Sequence, residues 1–312
     1  MDIAITQPVS VTGAIGGGTL LAVPRAGGTM TGFTLDGKMN IVGNPNGTKI
    51  GINESFTAVS ASVAAGTLVS AGVDAGTIRL DLLNRDLSVD HQVAKIPGNF
   101  VGKPAVLYAN GERLVPVAGD AGLTVHAFDA SWGWLDSKDF PAKPATGMTT
   151  VQMGAKAMVA WSTASDCHVR MMTGLSTGVG SIMGTPCQNP RIATNNTFDN
   201  SVLVYQTDAG VQYQQIAHGV MDPPTQTVRL GATSPRVLFD GQRYWISYID
   251  ARGDLVVGFL DEETGHVVSM GLAGTSPKQG AYELAMVDGF PWAFSLDTSG
   301  YSAQRLCVNA VW

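Results

Sequence analysis

A pattern of short strands and tight turns recurs seven times along the chain, and it limits the possible folds more than any other feature. Each copy reads as a short strand, a Gly or Asn turn, an apolar strand, a Gly-containing hairpin and a further strand. The second strands are predicted to begin near Leu20, Leu68, Leu114, Met158, Leu203, Tyr244 and Trp292, at steps of 41 to 48 residues. Four strands of about six residues with their turns use that length, so each copy is predicted to form one small antiparallel sheet.

The sixth copy shows the pattern best. Its apolar segments are 234–239, 244–248 and 255–259, and Asp250 and Gly253 lie between the last two. Asp with Gly between apolar runs, as at Asp240 and Gly241 and again over 250–253, is a strong hairpin signal, because Gly tolerates the positive φ of a tight turn and Asp bonds its own backbone. Equivalent hairpins are predicted at 74–76, 120–122, 208–210 and 297–300.

The composition favours strands over helices. Charged residues make up 14% of the chain, below the usual share of about 25%, whereas Gly contributes 38 residues. No segment longer than about 12 residues keeps a clean helical period of apolar positions. We therefore predict an all-β protein, with residues 1–312 in a single domain because no linker-like segment interrupts the repeat.

Repeats of this length and strand content resemble those of β-propeller proteins, and the resemblance extends over essentially the whole chain. It implies a seven-bladed β-propeller with four-stranded antiparallel blades. The last copy ends at Trp312, with almost no room for a fourth strand after 303–308. We predict that residues 2–6 supply this strand and close the ring, because an open ring would leave exposed sheet edges.

The charge balance argues against a nucleic-acid partner. The formal net charge is −6, and the 19 Lys and Arg residues do not cluster, whereas nucleic-acid-binding domains carry basic patches. Residues 1–8 lack the basic and apolar regions of a signal peptide, and no run of about 18 apolar residues occurs. We expect synthesis in the cytoplasm without a signal peptide, no membrane insertion, and a place in the virion if a phage encodes the chain.

The three cysteines are widely spaced, without the CxxC pair that zinc and redox sites use. We expect Cys167, Cys187 and Cys307 to be reduced thiols. A disulfide between Cys167 and Cys187 is the alternative, and it requires that the mature protein meets an oxidising compartment.

Four charged residues fall at or near the starts of predicted innermost strands, where the blades of a propeller converge on a central channel. They are Glu54, Arg191, Arg236 and Glu283, and two of them follow a proline directly. One interpretation is a binding site for an anion or a sugar. The other is a rim of ion pairs that satisfy one another.

An aromatic segment at 131–140 departs from the repeat and contains Trp132, Trp134 and Asp136. Clustered aromatic rings beside polar groups suit a loop that stacks on sugars or docks a protein. The alternative is that the two tryptophans fill the gap between two blades.

We expect no enzymatic activity, because the sequence has no paired carboxylates, nucleophile elbow or metal-ligand spacing. The histidines fall in different copies, at His91, His126, His168, His218 and His266. No metal and no cofactor are therefore predicted. A sialidase-like hydrolase at the channel mouth is an alternative, but it needs three arginines around a carboxylate and the pattern places two.

A low-charge surface rich in Gly, Ala, Thr and Val suits a body that buries area against neighbouring subunits. The composition is similar to that of phage virion proteins, some of whose tail and host-contact parts are propellers. We therefore expect a structural docking component of a larger assembly, with other protein subunits as partners and a cell-surface glycan as a further candidate partner. The alternative is a glycan-binding propeller lectin, although the six tryptophans share no common position in the repeat.

Overall fold

The structure is a computed structural model of the chain. It describes residues 10–307, with gaps at 14–18, 26–28, 51–57, 65–66, 75, 99, 102–104, 141, 143, 177, 196–199, 272–276, 278–280 and 298–299.

The described strands form seven antiparallel sheets, which we number in chain order. Sheet 1 contains β1 (Ser10–Gly13), β2 (Thr19–Pro24), β3 (Met30–Leu35), β4 (Ile41–Val42) and β5 (Thr48–Ile50). Sheet 2 contains β6 (Ala58–Ala64), β7 (Thr67–Asp74), β8 (Thr77–Leu83) and β9 (Val89–Pro97). Sheet 3 contains β10 (Phe100–Val101), β11 (Leu107–Ala109), β12 (Glu112–Gly119), β13 (Gly122–Phe128) and β14 (Trp134–Phe140).

The remaining sheets follow the same plan. Sheet 4 contains β15 (Gly147–Met153), β16 (Lys156–Ser162), β17 (Cys167–Met172) and β18 (Gly178–Met183). Sheet 5 contains β19 (Gln188–Thr194), β20 (Asn200–Thr207), β21 (Gly210–Ala217) and β22 (Val220–Leu230). Sheet 6 contains β23 (Thr233–Phe239), β24 (Tyr244–Ile249), β25 (Leu255–Asp261) and β26 (His266–Gly271), and sheet 7 contains β27 (Tyr282–Val287), β28 (Phe290–Asp297) and β29 (Gly300–Arg305).

Within the four-stranded sheets each strand pairs with the next one in the chain, so the sheets are simple meanders. The second strands, from β2 to β28, begin within three residues of the predicted positions. In β24 all six residues are buried, whereas in the outermost strand β14 five of seven are exposed. Neighbouring sheets therefore cover both faces of the second strand. Because side chains on both faces are buried, the sequence of this strand is largely apolar.

A hydrophobic cluster joins each sheet to the next. Met158 of sheet 4 packs in one cluster with Tyr205 of sheet 5, and Trp245 of sheet 6 packs in another with Tyr282 of sheet 7. Sheet 7 is also joined to sheet 1, where Phe294 lies in the cluster of Leu21 and Phe33. This arrangement of sheets around an axis confirms the predicted all-β propeller fold.

The first strands of neighbouring sheets lie close together around that axis. Strand β19 contacts β15 on one side and β23 on the other, and β27 contacts both β23 and β1. These first strands are therefore the innermost ones, and they line the central channel. Residues 2–6, predicted to complete the last sheet, lie outside the described residues, so that closure is still a prediction.

The prediction that all three cysteines are reduced is wrong for two of them. Cys167 in β17 and Cys187 directly before β19 are both buried and form a disulfide. The bond connects sheet 4 to the start of sheet 5, so it depends on packing between sheets and not on a local spacing rule. Cys307 is free and exposed.

Aspartates hold the tight turns, as predicted for Asp250. Its carboxylate accepts hydrogen bonds from the backbone N–H of Arg252 at 2.9 Å and of Asp254 at 3.0 Å. Asp129 does the same for Ser131 and Gly133, at 2.7 and 2.8 Å. The pKa of each carboxyl is lowered, for Asp250 first by the Asp254 backbone bond and for Asp129 first by the Ser131 hydroxyl.

Within the described ranges, no helix is long and apolar enough to cross a lipid bilayer.

Candidate functional site

Arg191, Arg236 and Glu283 occupy matching places in three neighbouring innermost strands, β19, β23 and β27. Arg191 pairs with Val204, Arg236 with Ser247 and Glu283 with Phe294, each on the second strand of its own sheet. The structure thus brings together three of the four charged residues predicted at the channel. Glu54 lies outside the described residues.

A β-bulge precedes each of the two arginines. The residue before each proline has a positive φ, 49° at Asn189 and 53° at Ser234. The register skips there, between Gln188 and Arg191 and between Thr233 and Arg236. Pro190 and Pro235 fit these positions because a bulge removes a ladder bond that proline could not donate. The bulge and proline therefore set the direction of each arginine.

Arg236 is buried and bonded on several sides. Its Nε lies 3.3 Å from Glu283 Oε1 and donates to the Tyr282 carbonyl at 3.2 Å. Its Nη1 donates to the Pro235 carbonyl at 2.8 Å, and the guanidinium lies 4.9 Å from the centre of the Tyr282 ring. Arg236 is therefore a structural tie between sheets 6 and 7.

Arg191 is held differently. It is half-buried, and its Nη1 donates to the Pro190 carbonyl at 2.8 Å. Burial, together with the charge of Arg236, lowers its pKa to about 10, and Glu283 opposes this shift. Two guanidinium groups therefore share one carboxylate among the described residues.

Tyr282 lies in the same cluster and is fully buried. Its hydroxyl donates to the Ser234 carbonyl at 2.7 Å, and Ser247 Oγ lies 3.2 Å from it. Burial raises the pKa of Tyr282 to about 12. The phenol is thus neutral near pH 7, with its proton already engaged.

The aromatic segment does not form one site. Trp132 is 8% exposed and lies in the hydrophobic cluster between sheets 2 and 3, with the Arg113 guanidinium 4.8 Å from its ring. Trp134 is 55% exposed on β14, with its ring 5.5 Å from that of Phe128. The gap-filling interpretation therefore describes Trp132 alone, because a turn with φ 67° at Trp132 directs it into the core.

Asp136 is exposed on the same strand and accepts a bond from the Ser137 backbone N–H at 2.7 Å. The statement that 131–140 departs from the repeat is wrong, because Trp134–Phe140 is the ordinary outermost strand of sheet 3. An outermost strand has little apolar alternation, which is why the sequence concealed it.

Sequence reasoning missed an apolar perimeter. Nearly all large apolar side chains that are exposed lie on outermost strands, and we call this set the perimeter residues: Val42, Trp134, Leu135, Val179, Ile182, Val220, Leu230 and Val268. A search for apolar residues in the last strand of each copy could have found them.

The described part of the chain includes at least two cavities. One of about 380 Å³ lies at the far ends of β15, β19 and β23, lined by Val151, Ile192, Thr194, Val237 and Phe239 among others. The other, of about 230 Å³, lies between sheet 1 and the turn at Asp86 and Leu87. The cavity of about 380 Å³ is lined by uncharged side chains, and neither arginine of the channel cluster is among its lining residues.

The described histidines are separate from one another, and no described group of three His, Cys, Asp or Glu side chains could hold a metal ion. His168 stacks on Trp161 with ring centres 4.9 Å apart, and His126 lies 5.1 Å from Trp134. Burial lowers the pKa of both.

No known family model and no curated protein sequence matches the chain. Solved structures do match in fold. The BP39L lectin of Burkholderia pseudomallei superposes with a TM-score of 0.74 at 14% identity, over 98% of this chain and 96% of the lectin. Hydrazine synthase of Kuenenia stuttgartiensis superposes with a TM-score of 0.67 at 12% identity, over 99% of this chain and 97% of that one. At these identities the likeness establishes the propeller fold.

Proposed function

We propose that the chain is a non-enzymatic docking body, a closed ring of seven blades that joins a larger assembly through its perimeter. The observation that carries this proposal is the set of exposed perimeter residues on the outermost strands. Single exposed apolar residues are ordinary on a soluble protein, but apolar residues on one side of several neighbouring sheets indicate an interaction surface.

The strongest part of this surface spans sheets 4 and 5. Ile182 on β18 is 68% exposed and Leu230 on β22 is 69% exposed. The two strands are neighbours, since the Met221 backbone N–H donates to Ser181 Oγ at 3.2 Å. A Cβ placed on Gly219 would lie 3.6 Å from the Cβ of Val179. Exposed Val179 and Ile182 of sheet 4 therefore lie beside exposed Val220 at the start of β22, whereas Leu230 lies at the other end of that strand.

The edge of sheet 4 also lacks the usual protection. Strand β18 reads GVGSIM, without a charged residue or a proline. By contrast, β9 at the edge of sheet 2 carries Asp90, His91 and Lys95. Charged residues and prolines keep sheet edges from pairing with other chains. An unprotected edge with exposed Val179 and Ile182 suits docking of a protein strand or sheet.

The low-charge, Gly-rich composition supports a phage tail or host-contact apparatus as the setting, with the virion as the location. A disulfide between Cys167 and Cys187 fits a particle that works outside a reducing cytoplasm. Neighbouring copies and other virion subunits are the proposed partners.

A glycan-binding lectin is the second candidate, favoured by the fold likeness to a propeller lectin and by the exposed ring of Trp134. Against it, Trp132, Trp161 and Trp245 are buried in the clusters between sheets and are not available for sugar stacking. A sialidase-like hydrolase is the weakest candidate, because Tyr282 already donates its hydroxyl proton to Ser234 and the cluster holds two arginines.

Size-exclusion chromatography with light scattering over a concentration series tests the docking proposal. We expect rings or filaments for the wild type and a monomer for Ile182→Lys, because a charge then protects the edge of sheet 4. Gln92→Lys is the matched control, since Gln92 is exposed on the polar edge strand β9, and it should assemble as the wild type does. A wild-type monomer that binds a glycan array would favour the lectin instead.

A further inference from the structure

Among the described residues, the channel cluster holds more positive than negative groups. Arg191, Arg236 and Glu283 stand at matching places on β19, β23 and β27, so two positive groups face one negative group. The carboxylate lies against Arg236, with 3.3 Å between Glu283 Oε1 and Arg236 Nε. The carboxylate of Glu283, which also attracts Arg191, is therefore already paired with Arg236.

Within the described residues, Arg191 also has hydrogen-bond donors that no acceptor takes up. A guanidinium has five N–H groups, and one nitrogen of Arg191, Nη1, bonds the Pro190 carbonyl. No further acceptor for this side chain occurs in the described part of the chain. Burial of a charged group is costly unless it is paired and hydrogen-bonded, so the cluster is arranged to take an anion from solvent.

We propose that Arg191 and Arg236 form a subsite in the central channel for an oxyanion, either a carboxylate or a phosphate group of a ligand. The planar fork of Arg191 suits two oxygens of one such group. Arg236, fixed by its bonds to Tyr282 and Pro235, contributes charge from a fixed position.

The subsite binds and does not catalyse. Tyr282, whose ring lies against the Arg236 guanidinium, donates its proton to the Ser234 carbonyl. Glu283 reduces the positive charge, so it weakens anion binding. Removing the Glu283 charge should therefore strengthen anion binding. A variant that simply failed to fold would bind more weakly, so the two effects are distinguishable.

Isothermal titration of the full chain with inorganic phosphate and, separately, with glucuronate tests the proposal. The tighter probe identifies phosphate or carboxylate as the preferred group. We expect Arg191→Gln to weaken binding of that probe by roughly tenfold or more, because charge-assisted bidentate bonds are lost. Glu283→Gln should tighten it. Arg229→Gln, which removes the same charge from an exposed site on β22, should leave it unchanged.

Three results would overturn the subsite: no binding of either probe to the wild type, equal weakening by Arg191→Gln and Arg229→Gln, or no tightening in Glu283→Gln. Thermal melts of each variant check the fold, and Glu283→Gln still decides if Arg191→Gln is unstable. The subsite is independent of the perimeter, so Ile182→Lys should bind the probes as the wild type does.

Discussion

The hydroxyl of Tyr282 in sheet 7 donates a hydrogen bond of 2.7 Å to the backbone carbonyl of Ser234 in sheet 6. Ser234 is the bulge residue with φ 53° that precedes Pro235 and Arg236. A side chain of one sheet thus holds the backbone conformation that directs the channel arginine of its neighbour.

Replacing Tyr282 with Phe should therefore destabilise the protein. The variant keeps the buried ring but leaves the Ser234 carbonyl and Ser247 Oγ without this partner, which costs about 1 to 2 kcal/mol of unfolding free energy. Urea denaturation measures the change. Tyr108→Phe is the control, because the Tyr108 hydroxyl bonds no described residue, and it should unfold at nearly the wild-type urea concentration. Equal stability of Tyr282→Phe and wild type would show that the bond contributes nothing.

The disulfide between Cys167 and Cys187 should stabilise the junction of sheets 4 and 5. It closes a segment with a sequence separation of 20, and constraining the unfolded chain over such a loop contributes about 2 to 4 kcal/mol. We expect the double variant Cys167→Ala and Cys187→Ala to melt at a lower temperature than the wild type. Cys307→Ala, at an exposed free thiol, should melt with the wild type. A wild-type melt unaffected by a strong reductant would contradict the prediction.

The sequence predicted the second strands well, because burial on both faces makes segments such as Tyr244–Ile249 apolar and Asp–Gly hairpins such as the one at Asp250 end them. It missed β14, since an edge strand exposed to solvent shows no alternation. The proline before Arg191 and Arg236 pointed to the channel cluster. Pairing of Cys167 with Cys187, and the engagement of Glu283 by Arg236 in preference to Arg191, depend on contacts between sheets that no local pattern records.

Gly210 should tolerate no larger residue. It lies in the predicted 208–210 hairpin with φ 139°, and a Cβ there would lie 2.3 Å from the Arg229 carbonyl oxygen and 2.7 Å from the Gly231 nitrogen. Gly241 has φ 98° but open space around its Cβ position. Gly241→Ala should therefore lose only about 1 kcal/mol of stability from backbone strain.

Gly210→Ala should lose clearly more than Gly241→Ala, because rigid backbone must move in addition to the strain. Chemical denaturation of both variants measures the two losses side by side. If the two losses were equal, the close approach of β22 to Gly210 would have no energetic consequence.

His168 should make the protein less stable in mild acid. Its ring stacks on Trp161, and burial lowers its pKa from the ordinary 6.5, an effect that the charge of Asp166 partly opposes. The unfolded chain therefore binds a proton at a higher pH than the folded protein does. The stabilising contribution of the neutral ring is complete above the unfolded pKa and is lost as the pH falls from about 7 towards 5. His126, whose pKa burial also lowers, acts in the same direction.

His168→Phe keeps a ring against Trp161 but cannot take up a proton. Its unfolding free energy should fall less between pH 7 and pH 5 than that of the wild type, because the variant has about one titrating group fewer. Urea denaturation at several pH values measures the two slopes. Parallel slopes would mean that His168 is protonated equally in the folded and unfolded states. The pH dependence that remains in the variant belongs to His126 and to turn carboxylates such as Asp250, which lose their hydrogen bonds at lower pH.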